Sequence, residues 1–343
     1  MIYFGIALFS FLTTYLIVPL NCKLSTKLGI IDYPRKRSIH KIATPKSGGI
    51  SLLIGLFLTQ FILLVLKKHP SSHLFWGLII GGILIFILGI LDDYFDIHAW
   101  IKVIIEIIIV LIIISFGFKI NLITNPFGDS ISVGVFSIPI TVIWFLLVMN
   151  AINLIDGLDG LAIGIVAIIL LILGFASIVC SKTFVAYFAF SISGSCLAFL
   201  KYNFYPAKIF LGDAGSLYLG FNIAALSVAG NTQFKGTTAM TMLIPIIVLS
   251  LPLIDTFLAI FRRLKTPNSL FQADKNHLHH KMLELGLSYK TVVLIWYFLT
   301  GLFGLISMGF LLVDKKILFS LLLILGIMIF IIFYNIIKKE FLK

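Results

Sequence analysis

Carboxylates are scarce in this chain, 14 Asp and Glu against 26 Lys and Arg in 343 residues, yet many of them stand in short clusters whose spacing suits cation and phosphate chemistry. In LDDYFDIHAWIK, Leu91 to Lys102, the carboxylates of Asp92, Asp93 and Asp96 repel one another and stay ionised together only beside a cation or a basic group. Mg²⁺ is the simplest such cation, and a solvated turn between helices is the bland alternative. In NAINLIDGLDGLA, Asn150 and Asn153 lead into Asp156, Gly157, Asp159 and Gly160. On a helix Asn153, Asp156 and Asp159 follow at intervals of three and project from one face, and the glycines let a ligand approach the backbone. The same residues also suit a helix cap and turn before Leu161.

In YNFYPAKIFLGDAGSLYLGF, Asp213 lies among Gly212, Gly215 and Ser216 just before an apolar helix. A glycine-rich approach to a helix N-terminus offers backbone N–H groups to phosphate, and the aspartate can hold a metal sharing that phosphate. Asn203 and Phe210 could supply an amide and an aromatic face to a base, while in the bland reading Asp213 only caps the helix. In ADKNHLHHKMLELG, His277, His279 and His280 fall within four residues. No cysteine or second histidine cluster stands nearby to complete a tetrahedral zinc set. With Lys275, Lys281, Arg262 and Arg263 the imidazoles suit an anionic phosphate, an exposed polar loop being the alternative.

The elements that must position these residues are membrane helices. A mean hydropathy of +1.13 with 60% hydrophobic residues excludes an ordinary soluble domain. The expected fold is all-α and polytopic, with spans near 1–20, 48–66, 75–91, 103–118, 135–149, 161–179, 184–200, 214–229, 238–261, 292–312 and 317–337. That makes about 11 transmembrane helices, or 10 if one short segment is re-entrant. The first stretch has neither a basic start nor a clean cleavage site and reads as a retained span. Cys22, Cys180 and Cys196 lack metal-ligand spacing and are given no chemistry.

Orientation follows from the basic residues, because positively charged loops stay cytoplasmic. With the N-terminus outside and the C-terminus cytoplasmic, 19 of the 26 Lys and Arg fall inside and 7 outside. The whole chain, 1–343, is expected to be one membrane-embedded domain with cytoplasmic active-site loops near 21–47, 92–102, 150–160, 201–213 and 262–291. Ten of the acidic residues then lie on or next to that face, and only Asp129 and Asp314 lie outside. Glu106 and Asp255 fall within spans, where a charge is costly and is normally kept for a reason. The net charge of +12 is spread over short loops, which suits anionic lipid and a phosphorylated substrate and argues against nucleic acid. A metal-assisted phosphate-transfer site is the reading that makes all four loops useful on one face.

The four motifs, in this order, resemble the polyprenyl-phosphate N-acetylhexosamine-1-phosphate transferases over essentially the whole chain. IDYPRKRSIHKIATPKSGGI resembles their first cytoplasmic loop through Asp32, Pro34, Arg37, His40, Pro45, Gly48 and Gly49. Ser38 and Lys46 depart from that pattern, standing where lysine and arginine are usual, and Glu106 replaces a frequent glutamine. HLHH and the LDD loop resemble the branch that initiates O-antigen, enterobacterial common antigen and teichoic acid synthesis.

The resemblance implies transfer of a sugar 1-phosphate, GlcNAc-1-phosphate being favoured, from a UDP-sugar to undecaprenyl phosphate with release of UMP. It also implies a bacterial cytoplasmic membrane location and dependence on Mg²⁺ or Mn²⁺. By the same resemblance Asp213 holds the metal, Asp92 and Asp93 orient or deprotonate the acceptor phosphate, and Asp156 completes the polar centre. Asp159, Asn153, Asn203 and Phe210 hold the nucleotide sugar, and Lys102, His277, His279 and His280 take phosphate charge. A homodimer is left open by the sequence, and so is an aspartyl-phosphate route. Two other classes remain on the residues alone. DDYFD matches the DDxxD motif of intramembrane prenyltransferases, and membrane-face carboxylates could serve an ion-coupled transporter.

Overall fold

The computed structural model describes residues 1–34, 43–66, 72–123, 131–232, 243–265, 277–309 and 320–327. Arg37, His40, Asp129, Asp274, Lys275, Asp314 and most of the last expected span lie outside the described residues, as do the side chains of Arg262 and Arg263.

The fold is all-α. The helices run α1 Ile2–Leu28, α2 Gly48–Val65, α3 Ser72–Phe95, α4 Ala99–Ile114, α5 Ser137–Ile155, α6 Leu161–Val179, α7 Thr183–Asn203, α8 Gly212–Thr232, α9 Leu243–Val248, α10 Ser250–Lys265, α11 Leu278–Glu284 and α12 Tyr289–Gly309. Residues 320–327 are helical as well. Two antiparallel ladders of two residues each, β1 Ile31–Asp32 with β2 Thr44–Pro45 and β3 Leu122–Ile123 with β4 Ile131–Ser132, are the only strands among the described residues.

Seven helices among the described residues are long and apolar enough to cross a bilayer: α1, α2, α3, α5, α6, α7 and α12, the α5 span beginning at the short 3₁₀ turn before it. The chain is a multi-pass membrane protein. Helix α8 is missing from that set for a physical reason. It is enclosed by α3, α5, α2, α6 and α7 and is buried along nearly all its described length, so its small and polar residues meet protein rather than lipid.

Helix α1 shows the same inversion. Its exposed face carries Phe4, Leu8, Leu12, Leu16, Leu20 and Leu24, while Ser10, Thr14, Asn21 and Ser25 are buried against protein. Ser10 and Thr14 meet Ser195 of α7 at 2.6 and 2.9 Å, the small-residue packing that lets membrane helices approach closely. Pro19 lies inside α1 and cannot donate to the carbonyl of Tyr15, and the Tyr202 hydroxyl donates to that oxygen instead, at 3.2 Å.

The span expected over 238–261 is not one helix. Residues 238–242 lie outside the described set, and the rest is divided at Leu249 into α9 and α10, flanked by Pro245 and Pro252. A proline at 252 removes one hydrogen-bond donor from a continuous helix, and the Thr256 hydroxyl donates at 2.9 Å to the Pro252 carbonyl.

Candidate active site

One end of the helix bundle gathers the C-terminal ends of α5 and α7, the N-terminal ends of α8 and α12, the short α11 and the segments leading into α2 and α6 around a cleft of about 590 Å³. Its position is set by α8. The chain before α8 runs beside the start of α2, with Phe210 N donating to Pro45 O at 2.8 Å, Gly48 N to Phe210 O at 2.9 Å and Gly49 N to Leu211 O at 3.0 Å. Gly49 is obligatory there, because a Cβ would sit 2.6 Å from the backbone nitrogen of Gly215. Gly212 turns the chain into α8 at φ 76°, where a Cβ would lie 2.8 Å from a carboxylate oxygen of Asp93.

Asp93 caps α8 from another helix. Its carboxylate accepts the N–H groups of Asp213 at 2.9 Å and Ala214 at 3.0 Å, and Lys46 Nζ lies 2.7 Å from Oδ1. This corrects the expectation that the α8 N-terminus offers its N–H groups to phosphate, since the negative group that satisfies the two of them is Asp93. It also assigns Asp93 a positioning contact that its place in the DD pair did not suggest. Its neighbour Asp92 faces elsewhere: it is buried, pairs with Lys102 at 2.5 Å and accepts the Ile97 N–H at 3.1 Å. Neither Asp92 nor Lys102 lines the cleft, and Asp96 is exposed at a left-handed turn, φ 52°.

Asp213 does line it. Asn153 Nδ2 donates to Asp213 Oδ1 at 2.7 Å and to Ser216 Oγ at 2.9 Å, so this asparagine fixes the aspartate from α5. The expected helical face for Asn153, Asp156 and Asp159 does not form. Helix α5 ends at Ile155, Gly160 enters α6 at φ 80°, and the two aspartates reach the cleft from the intervening turn. Glycines at 157 and 160 disfavour helix, and Gly157 packs tightly on His279. Asp159 does not cap α6; its Oδ2 accepts the Ala207 N–H at 2.9 Å. Two tyrosines of α12 hold the turn. Asp159 N–H donates to the Tyr289 hydroxyl, and the Tyr297 hydroxyl donates to Gly160 O at 2.5 Å.

Asn203 and Phe210 also line the cleft, but the Asn203 amide already accepts Gly160 N–H at 3.0 Å and donates to Ile209 O at 2.8 Å. Of the three histidines only His280 reaches the lining. His277 is buried with Nδ1 3.0 Å from Asp255 Oδ2, and Asp255 Oδ1 accepts the Leu278 N–H at 3.0 Å. The reason for an acid in that helix is thus to anchor the start of α11. His279 is fully buried with neither ring nitrogen hydrogen-bonded, its Nδ1 lying 3.9 Å from Asp255 Oδ2, and burial, reinforced by His280, depresses its pKa to about 3. It is neutral in this arrangement and brings no cationic charge to a phosphate. Glu106 is buried too, accepting from Asn150 Nδ2 at 3.0 Å.

The electrostatics favour a cation. Burial, together with the carboxylates of Asp213 and Asp93, pushes the Asp156 carboxyl well above its usual range, against the pull of Lys46. Burial works against the charge of Lys46, but Asp93, Asp213 and Asp32 outweigh it and raise its pKa. Among the described residues no group of three His, Cys, Asp or Glu is placed to hold a metal alone. Asp213 and Asp156, which line the same cleft and repel each other, fit an ion such as Mg²⁺, which binds through one or two carboxylates, keeps several waters and shares its remaining sites with substrate phosphates.

Several lining residues were not singled out from the sequence. Asp32 appeared only as part of the resemblance and Lys46 only as a departure from it; Glu284 and Tyr205 stood inside two of the motifs without being assigned a role, and Tyr289 lay outside all of them. Tyr205 and Tyr289 stack with ring centroids 4.4 Å apart. An aromatic residue at the polar end of a span was the one available signal for Tyr289.

The sequence profile described as glycosyl transferase family 4 matches residues 75–231, from α3 to the end of α8. The chain is 35% identical over 296 residues to the probable undecaprenyl-phosphate N-acetylglucosaminyl 1-phosphate transferase of Bacillus subtilis, covering 86% of this chain and 81% of that one. It is 31% identical over 307 residues to the decaprenyl-phosphate N-acetylglucosaminephosphotransferase of Mycobacterium tuberculosis, covering 81% and 75%. Against the undecaprenyl-phosphate alpha-N-acetylglucosaminyl 1-phosphate transferase of Escherichia coli K12 it is 29% identical over 282 residues, covering 80% and 75%. With such identity over most of its length, the chain belongs to glycosyl transferase family 4, the polyprenyl-phosphate N-acetylhexosamine-1-phosphate transferases.

Proposed function

We propose that this protein transfers N-acetylglucosamine 1-phosphate from UDP-GlcNAc to undecaprenyl phosphate, releasing UMP, and so starts a lipid-linked cell-envelope glycan. The carrying observation is that four acidic or polar loops, distant in sequence, meet in one cleft in which Asp156 and Asp213 oppose each other electrostatically with Lys46 alongside. The sugar and the lipid are taken from the named activities of the relatives. The cleft opens on the face that the positively charged loops place in the cytoplasm, where UDP-sugars are made. A bacterial cytoplasmic membrane is the setting.

An oxygen of the acceptor phosphate attacks the phosphorus attached to the sugar, and the bond from that phosphorus to the bridging oxygen breaks with its electrons leaving on UMP. Mg²⁺, or Mn²⁺, held by Asp213 with Asp156 would neutralise the diphosphate and the leaving UMP. Asn153 keeps the Asp213 carboxylate aimed into the cleft, and Phe210 with the turn at Asp159 borders the space for the nucleoside. His280 borders the space for the phosphates, and Lys102 holds Asp92 on the side away from the donor.

Direct displacement is favoured over an aspartyl-phosphate. Each carboxylate of the DD pair already receives a lysine and backbone N–H groups, which lowers its nucleophilicity. The test is to give the purified protein in nanodiscs undecaprenyl phosphate, Mg²⁺ and, separately, UDP-GlcNAc, UDP-GalNAc and a prenyl diphosphate, and to follow UMP and diphosphate. UMP formed from UDP-GlcNAc and stopped by EDTA is the expected result. Consumption of the prenyl diphosphate without UMP would support the prenyltransferase reading instead.

A further inference from the structure

The cleft is lined by Asp32, Asp156, Asp159, Asp213 and Glu284, and Lys46 is the one lysine or arginine among the described residues that border it. Its backbone is fixed on both sides. Lys46 N donates to Ile30 O at 3.3 Å, Pro45 O accepts from Phe210 N at 2.8 Å, and Ser47 O accepts from Asn21 Nδ2 at 2.8 Å. The loop therefore delivers the side chain to one place, and only the flexible four-carbon stem is left to move.

In the structure Lys46 Nζ rests on Asp93 Oδ1 at 2.7 Å, and its side chain is 36% exposed. Asp93 does not depend on it, because the N–H groups of Asp213 and Ala214 remain on the carboxylate if the lysine leaves. Lys102 is in a different state, 12% exposed, outside the cleft lining, with its amine on Asp92. The two lysines thus divide the adjacent aspartates between the cleft and its far side.

We propose that Lys46 is a binding residue for the diphosphate of the nucleotide-sugar donor, and that it swings from Asp93 to a phosphate oxygen when the donor enters. A diphosphate placed among five carboxylates needs positive charge beyond a single divalent ion, and this amine can reach it without unpinning α8. The inference rests on the donor assignment made above and extends it to a residue at which the chain departs from the resemblance.

The experiment measures binding of uridine, UMP and UDP at fixed Mg²⁺ to detergent-purified wild type, Lys46→Met and Lys46→Arg, with melting temperatures recorded to verify folding. Loss of one charge-assisted hydrogen bond predicts roughly a 10- to 100-fold weaker UDP affinity in Lys46→Met, a smaller loss for UMP and none for uridine, with Lys46→Arg restoring most of it. Unchanged UDP affinity in Lys46→Met overturns the proposal. An equal loss for uridine and UDP does so as well, since it marks a purely structural ion pair. Should Lys46→Met not fold, Lys46→Gln takes its place with the same criteria. Wild type that binds none of the three ligands sinks the donor assignment itself, and that outcome is separate from any difference between variants.

Discussion

At Asp156 the needs of the site and of the fold conflict. Its carboxyl is held well above the usual range by burial and by Asp213 and Asp93. A carboxyl whose pKa is raised on folding destabilises the folded state when ionised, and the penalty fades as pH falls through the raised value towards the unfolded one near 3.9. Asp156→Asn should therefore melt a few degrees higher than wild type at pH 8 without ligand, with the gap closing by pH 4, while UMP formation falls by at least about 100-fold; equal melting at pH 8 would contradict this account. Asn153→Ala should lower turnover roughly 10- to 100-fold with little change in melting temperature, because it releases Asp213 without opening the core. The aspartates were legible as chemistry because carboxylates in an apolar chain demand a partner. Which of them face the cleft was not: Asp92 and Asp93 are adjacent in sequence, yet they take different lysines, and His277 and His279 turn inward while His280 does not.

At the scale of the element, α8 is the part on which the site is built. Its first turn is pinned by Asp93, by the backbone hydrogen bonds of Phe210 and Leu211 with residues 45–49, and by Gly49 against Gly215. Gly49→Ala should cost about 1–3 kcal/mol and reduce activity in proportion, since the contact it forces is with backbone; thermal denaturation of the purified variant checks it. Helix positions were largely readable from runs of apolar residues, and most expected spans coincide with helices. Hydropathy cannot say which helix is enclosed by its neighbours, so α8 resembled a short span although it lies at the centre. Nor could spacing alone show that the DGLDG segment is a turn held by Tyr289 and Tyr297, because those tyrosines lie more than a hundred residues away.

For the whole molecule, the central claim is that loops from both halves of a multi-pass chain converge on one metal-dependent transfer site. That convergence depends on tertiary contacts, and the sequence signalled it only through all the acidic motifs falling on one side of the bilayer. Cysteine labelling at Glu284 and Lys119 in intact cells should place the first inside and the second outside, the orientation that the basic loops predict. The most direct test is mass spectrometry of the lipid after incubation of undecaprenyl phosphate, UDP-GlcNAc and Mg²⁺ with wild type or Asp213→Asn. The account predicts that the wild-type lipid gains one N-acetylhexosamine phosphate and that the Asp213→Asn lipid does not. An unchanged lipid with wild type, or the same gain at the same rate with Asp213→Asn, would contradict it.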